Sequence, residues 1–129
     1  MSVSLDHFIV PSRDAAAAAK QLGHILGVPW EKAAAIGPFS PVYVNEGLTL
    51  DFQTTAEAFP IHHYCFRVTP EEFAVIVERI RAAGIPFRST VQGPVDSKVD
   101  PHYGNVYWNE PEGHMWEILQ VSYARQPST

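Results

Sequence analysis

Two histidines and two acidic residues stand at matching places in the two halves of the sequence. His7 and His63 each open a strand-like stretch, and Asp51 and Glu117 each follow a glycine by four positions. Imidazole nitrogen and carboxylate oxygen bind divalent cations at about 2.0 to 2.2 Å. If the two halves fold alike, these side chains converge on one cation. His7, His63 and Glu117 then form a two-His, one-carboxylate set with open coordination positions, and Asp51, which has a shorter arm, is a fourth candidate ligand.

Each of these residues also has a purely structural interpretation. A lone His in a strand is usually a hydrogen-bonded core residue, and Glu117 could pair with Arg67 or face solvent. Glu117 lies in the apolar stretch MWEIL, where strand alternation places it on the same face as Met115 and Leu119. An ionised carboxylate is rarely buried without a cation, an Arg or water. Four matching positions in a repeat therefore favour a metal site.

The matching positions belong to a longer internal repeat. The recurring pairs are HFIV (7–10) and HYCF (63–66), LGVPW (26–30) and AGIPF (83–87), and VYVNEG (42–47) and VYWNE (106–110). The third pair is separated by more residues than the first two because the second half has a longer loop around 92–102. Recurrence of three stretches in the same order predicts that each half is one copy of the same supersecondary unit.

One helix is predicted in each half. In the second half, Thr69 and Glu72 form a capping box, Pro70 is the first helical residue, and Gly84 suits a left-handed C-cap. A single apolar stripe follows the spacing of a surface helix and consists of Phe73, Val77 and Ile80. This pattern indicates a helix that covers one face of a sheet.

The first half has a similar helix pattern with fewer large apolar residues. Ser12 or Asp14 is the predicted N-cap, Gly27 ends the helix, and Leu22 and Leu26 are its buried residues. The strands predicted after each helix are 30–33, 40–45 and 48–54 in the first half, and 87–91, 104–109 and 114–121 in the second.

These elements predict an α+β fold. Two tandem βαβββ modules, at about 4–54 and 61–121, are joined by a linker at 55–60 and form a single domain over residues 1–129. The two modules are expected to form a cupped, barrel-like mixed sheet around shared space. The residues from 123 to 129 are predicted to be a loose tail.

Composition narrows the range of partners. The chain has 129 residues, 46% of them hydrophobic and 18% charged, with a formal net charge of −5. This acidic balance argues against nucleic acid and anionic membranes, and no apolar run approaches the ~18 residues of a spanning helix. The single Cys65 excludes an intrachain disulfide, and no secretory signal is visible, so a cytoplasmic location is expected. A homodimer that covers the sheet edges is also expected.

From Leu5 to Val121 the sequence resembles the vicinal oxygen chelate superfamily, which includes glyoxalase I, extradiol dioxygenases, methylmalonyl-CoA epimerase, and fosfomycin- and bleomycin-resistance proteins. The resemblance is carried by LDH (5–7), HYCFRV (63–68) and NEPEGHMWE (109–117). The last of these is similar to the family's D-P-x-G-x-x-x-E strand, with Glu110 in place of Asp. The resemblance implies paired βαβββ modules around a metal, with His7, His63 and Glu117 as ligands and Asp51 as the fourth.

The resemblance also suggests acid/base groups. Extradiol dioxygenases have an acid/base Tyr about ten residues before the glutamate ligand, and Tyr107 meets that spacing. Tyr107 is also the repeat mate of Tyr43, which is consistent with an ordinary packing role. His62 and His102 are further candidates because histidine titrates near neutral pH, although either is equally consistent with a surface residue.

The function implied is that of a divalent-metal-dependent enzyme of glyoxalase or dioxygenase type. Its small substrate would present two vicinal oxygens and react through a metal-stabilised enolate or oxyanion, with an isomerase, lyase or ring-cleaving outcome. The ligand types fit Zn²⁺, Ni²⁺, Co²⁺, Mn²⁺, Mg²⁺ or Fe²⁺, and no other cofactor is predicted. The alternatives are a non-catalytic protein that sequesters a cationic antibiotic, in the manner of bleomycin-resistance proteins, and a metal kept only for structure or regulation.

Overall fold

The computed structural model describes residues 2–90 and 104–124, and the chain divides after Pro60 into two compact units. The first unit contains β1 (His7–Ser12), α1 (Ala15–Leu26), β2 (Ser40–Asn45) and β3 (Leu48–Thr54). The second contains β4 (His63–Arg67), α2 (Pro70–Ala82), β5 (Phe87–Arg88), β6 (Asn105–Asn109) and β7 (Met115–Leu119). The order of elements confirms the predicted α+β fold, with βαβββ in the second unit and βαββ in the first, where the strand predicted at 30–33 does not form.

The sheets of the two units have corresponding topologies. In the first unit the strand order is β1-β3-β2, and in the second it is β4-β7-β6-β5. The first strand of each unit pairs in parallel with the last, and the last pairs antiparallel with the strand before it. Ile9 lies opposite Asp51, and Cys65 lies opposite Glu117. The repeat seen in the sequence is therefore also a repeat of strand register.

Both helices begin and end where their capping residues predict. The Asp14 side chain accepts the backbone N–H of Ala17, and Gly27 ends α1 in the left-handed region, at φ 73°. In α2 the capping box between Thr69 and Glu72 is complete. Gly84, at φ 70°, is the left-handed residue just after this helix.

Each sheet has one apolar face. In the first unit, Val42, Leu50 and Phe52 are completely buried beneath α1, which contributes Leu22 and Ile25. Leu26, which the sequence predicted to be buried, is only half-buried, and Ile25 is buried in its place. In the second unit the buried residues include Trp108, Trp116 and Ile118 of the sheet, and Phe73, Ile76, Val77 and Ile80 of α2. Because side chains alternate along a strand, the other face of each sheet carries His7 and Asp51, or His63 and Glu117.

Two predicted strands differ from the structure. Residues 30–33 do not form a strand, because only Trp30 makes an isolated bridge, to Val42, before the chain turns away. The Lys32 carbonyl is bonded to the Ser40 hydroxyl instead of a ladder partner. Strand β5 is limited to Phe87–Arg88, and the end of its predicted range lies outside the described residues. Among the described residues, no helix is long and apolar enough to cross a membrane.

Candidate metal centre

Glu117 lies at the centre of the polar face of the second sheet. Its strand, β7, runs between β4 and β6, and Glu117 is directly opposite Cys65 on one side and Tyr107 on the other. The Glu117 side chain is completely buried, which is unusual for an acid and requires polar partners. Arg67 is not one of them, since its Nε donates to the Gln120 carbonyl. The alternative pairing of Glu117 with Arg67 is therefore wrong.

His63 is the nearest candidate ligand to Glu117. Its Nε2 lies 2.9 Å from Oε1 of Glu117, and 43% of the His63 side chain is exposed. Two atoms that bind one cation at about 2.1 Å and at right angles lie about 3.0 Å apart. The observed separation therefore fits neighbouring ligands of a single divalent cation, and the exposed side of His63 leaves room for further ligands.

Two further partners of Glu117 are residues that the sequence did not identify. Asn105 Nδ2 donates to Oε2 of Glu117 at 2.8 Å, and the Tyr123 hydroxyl donates to Oε1 at 2.6 Å. Asn105 Nδ2 also lies 3.3 Å from the Tyr107 hydroxyl, which is hydrogen-bonded to Tyr123 in turn. These four residues form a closed hydrogen-bonded ring. Tyr123 is thus held by the site, and its assignment to a loose tail is wrong.

The ring affects the acidity of its neighbours. The hydrogen bond to Glu117, and then burial, raise the pKa of Tyr123 well above its ordinary value, so its phenol stays protonated. Burial, followed by the charge of Glu117 and a hydrogen bond to it, raises the pKa of Cys65 to about 12. Cys65 is accordingly a thiol at neutral pH and is unsuited to act as a thiolate ligand or nucleophile.

The corresponding face of the first unit carries the other two predicted ligands. His7 Nδ1 lies 2.7 Å from Oδ2 of Asp6, and both side chains are largely exposed. The hydrogen bond to Asp6 raises the pKa of His7, and the charge of Asp51 adds a smaller contribution in the same direction. The Tyr43 hydroxyl donates to Glu31 at 3.0 Å, so this unit lacks the ring that surrounds Glu117.

The structure therefore brings two of the predicted ligands together, His63 and Glu117. The His7 imidazole pairs with Asp6 instead, and Asp51 makes only a minor contribution to its pKa. Within residues 2–90 and 104–124, no three His, Cys, Asp or Glu side chains are grouped as a complete metal site would require. The full ligand set remains a prediction. Of the acid/base candidates, Tyr107 is buried in the ring, and His102 lies outside the described residues.

His62 belongs to a different polar cluster. It bonds the Tyr64 hydroxyl at 2.9 Å, and Tyr64 points to the opposite face of the sheet from Glu117. The His62 backbone N–H donates to Nδ1 of the buried His114, whose Nε2 lies 3.9 Å from Oε1 of Glu110. Glu110 Oε1 is buried without a hydrogen-bond partner among the described residues. Burial, with a smaller contribution from the charge of Glu112, raises the pKa of Glu110 to about 8.

Comparison with solved structures identifies relatives of similar length. The structure of oxidase ChaP-H2 has 32% sequence identity and a TM-score of 0.85, over 96% of this chain and 98% of that chain. Oxidase ChaP-H1 has 33% identity and a TM-score of 0.83, over 96% of this chain and 100% of that chain.

A more distant structure shares the fold. The fosfomycin resistance protein FosX from Listeria monocytogenes, solved with Mn(II) and sulfate, has 18% identity and a TM-score of 0.65, over 95% of this chain and 94% of its own. No family model and no curated protein matches the sequence. The level of identity to the two oxidases over almost the whole chain, together with the tandem modules, shows that the chain belongs to the vicinal oxygen chelate superfamily.

Proposed function

We propose that this protein is a divalent-metal-dependent enzyme that oxidises a small substrate with two neighbouring oxygens, using dioxygen as the oxidant. The two relatives at 32% and 33% identity are both named oxidases. Their names favour the oxidative, dioxygenase-like outcome over the lyase and isomerase outcomes that the superfamily resemblance also allows.

The observation that carries this proposal is the contact between His63 and Glu117. A completely buried carboxylate lies 2.9 Å from an imidazole nitrogen, at the spacing of two neighbouring ligands of one cation. We propose that these two residues hold the metal together with His7, and with Asp51 as the fourth ligand. When bound, such a cation polarises substrate oxygens as a Lewis acid.

His63 and Tyr107 have different roles in this proposal. Nε2 of His63 and Oε1 of Glu117 would be the two atoms of this unit that hold the cation. Tyr107 is held by Asn105 and Tyr123, and its hydroxyl is part of a continuous hydrogen-bonded path to the Glu117 carboxylate. This path supplies a route by which a proton moves between a group at Tyr107 and Oε1 of Glu117.

The charges around Glu117 favour an anionic substrate. The register places Arg88 opposite Tyr107 and Arg67 opposite Leu119, on the same face as Glu117. Two guanidinium groups there would attract the acidic hydroxyls or carboxylates of a substrate. Their presence weighs against sequestration of a cationic antibiotic.

One observation does favour a binding protein without a metal. Both oxygens of Glu117 are already hydrogen-bonded, by His63 and Tyr123 at Oε1 and by Asn105 at Oε2. A carboxylate satisfied in this way is stable without a cation. The two functions differ in one respect that is easy to measure, because a binding protein retains its ligand affinity when Glu117 is replaced by Gln, whereas the enzyme loses its activity.

Oxygen consumption tests the proposal. The protein is loaded with Fe²⁺, Mn²⁺, Co²⁺ or Zn²⁺ and mixed with a panel of catechols, hydroxyquinones and hydroxyacids. Metal-dependent oxygen uptake with at least one anionic substrate is expected, with loss on Glu117→Gln or His63→Ala and retention in Glu46→Gln, a change in an exposed turn. Loaded protein that binds a panel compound without consuming oxygen would favour the binding function.

We also propose that the protein is a homodimer. Among the described residues, the polar sheet faces expose Ile9, Cys65 and Arg67. A second copy of the chain would cover these side chains, because closed symmetric assemblies commonly bury exposed surface of this kind. Light scattering during size-exclusion chromatography is expected to give twice the mass of one chain, and the mass of a single chain would contradict the proposal.

A further inference from the structure

The hydrogen-bonded ring around Glu117 gives every polar hydrogen in it a defined acceptor. Asn105 Nδ2 carries two hydrogens, one for Oε2 of Glu117 at 2.8 Å and one for the Tyr107 hydroxyl at 3.3 Å. The Tyr123 hydroxyl donates its single hydrogen to Oε1 of Glu117 at 2.6 Å, which leaves the Tyr107 hydrogen for the bond between the two tyrosines. Both routes from Asn105 therefore end on the Glu117 carboxylate.

The ring fixes the rotation of the Glu117 carboxylate. The terminal torsion of a Glu side chain is broad and roughly two-fold, so a free carboxylate samples many orientations. Here Oε2 is held by Asn105 on one side, and Oε1 by Tyr123 on the other. Only one arrangement keeps both bonds, and it directs Oε1 towards Nε2 of His63.

Oε1 of Glu117 has enough lone pairs for both the bond from Tyr123 and the contact with His63. A carboxylate oxygen has two lone-pair directions, and Oε1 contacts both the Tyr123 hydroxyl and Nε2 of His63. The bond from Tyr123 can therefore stay in place when a cation is held between Oε1 and His63. Tyr123 supports the ligand geometry and does not compete with the cation.

We propose that Asn105 and Tyr123 are positioning residues that orient the Glu117 carboxylate for cation binding. Tyr123, which lies beyond the last strand, thus supports the metal site without being a ligand. The inference rests on the proposed metal function. Groups that hydrogen-bond to a metal ligand keep it in its binding orientation, and their removal typically weakens metal affinity by about 10- to 100-fold. Preorganisation of this kind changes affinity without any contact to the metal.

Calorimetric titration of Mn²⁺, Co²⁺ and Zn²⁺ into the metal-free full-length protein tests the proposal. Tyr123→Phe removes one hydroxyl from a residue that is 60% exposed, so the variant is expected to fold. Asn105→Leu removes the donor to Oε2 with little change of shape. Each change is expected to weaken cation binding at least tenfold, by about 10- to 100-fold. Tyr64→Phe is the matched control because its hydroxyl bonds His62 on the other face of the sheet, and it should stay within about twofold of the unmodified protein.

Two further readouts separate positioning from a loss of structure. The visible absorption of bound Co²⁺ should change in Tyr123→Phe, because its Glu117 ligand is reoriented, and should be unchanged in Tyr64→Phe. Circular dichroism establishes that each variant is folded. Folded Tyr123→Phe that binds the cations as tightly as the unmodified protein, or more tightly, would overturn the positioning role and leave the metal function standing. An unmodified protein that binds no cation at all would overturn both.

Discussion

The buried Glu110 should make the stability of this protein fall as the pH rises through neutrality. Its side chain is 2% exposed, Oε1 has no partner among the described residues, and the nearest basic nitrogen, Nε2 of His114, is 3.9 Å away. Its pKa is about 8 in the folded protein, against an ordinary value of 4.5. Between these two values the folded protein therefore holds one proton more than the unfolded chain.

The sign and size of the effect follow from proton linkage. Where the folded state binds the extra proton, the free energy of unfolding falls as pH rises, by about 1.4 kcal/mol for each pH unit. Over the whole interval the loss is about 5 kcal/mol. Stability is full below the unfolded pKa, falls between about pH 5 and pH 8, and is constant above the folded pKa.

Urea unfolding of the protein and of Glu110→Gln measures this effect directly. Fluorescence is a suitable probe because Trp108 and Trp116 are buried in the same unit as Glu110. The neutral amide cannot ionise, so the variant should lack the slope and should be the more stable protein at about pH 8. The Glu46→Gln control should keep the slope. A slope that is the same in Glu110→Gln as in the unmodified protein would refute the assignment of this proton to Glu110.

Three further predictions concern single side chains. Thr69→Ala, which removes the N-cap of α2, should lower the free energy of unfolding by about 1 kcal/mol, and no loss in urea unfolding would contradict the capping role. Phe73→Ala should cost about 3 to 5 kcal/mol because this side chain is completely buried, and a loss below ~1 kcal/mol would mean that the α2 interface is not a packed core. Cys65, with its raised pKa, should react with a disulfide reagent about 10- to 100-fold more slowly at pH 8 than an ordinary thiol, and rapid labelling of the native protein would be inconsistent with its position beside Glu117.

Much of the fold was predictable because its signals are local and repeated. The capping box at Thr69 and the left-handed Gly27 depend on neighbours within one turn of helix, and both are found as predicted. The contact between His63 and Glu117 was predictable from the repeat, because equal strand register in both units puts equivalent residues at equivalent places. The strand predicted at 30–33 does not form because its pairing stops at an isolated bridge from Trp30 and one backbone bond from Glu31 to Pro41.

The ring around Glu117 was not predictable in the same way. Symmetry of the repeat identifies residues that occur twice, whereas Asn105 corresponds to Pro41 in the first half, which has no donor. Tyr123 follows the last strand and has no repeat mate at all. Small polar residues and terminal tyrosines carry no periodic signal, so their role emerged only from distances to Glu117. The hydrogen-bond partners of a buried carboxylate depend on distances in the folded chain, and short sequence patterns do not predict those distances.

The central claim, that repeat-matched histidine and carboxylate side chains bind a divalent cation, is tested most directly by the metal content of the protein after loading and desalting. We expect about one divalent cation per chain in the unmodified protein and in Glu46→Gln. The metal content should be close to zero in His63→Ala and in Glu117→Ala. Unmodified protein that retains no metal under these conditions, or a Glu117→Ala variant that retains all of it, would contradict the claim.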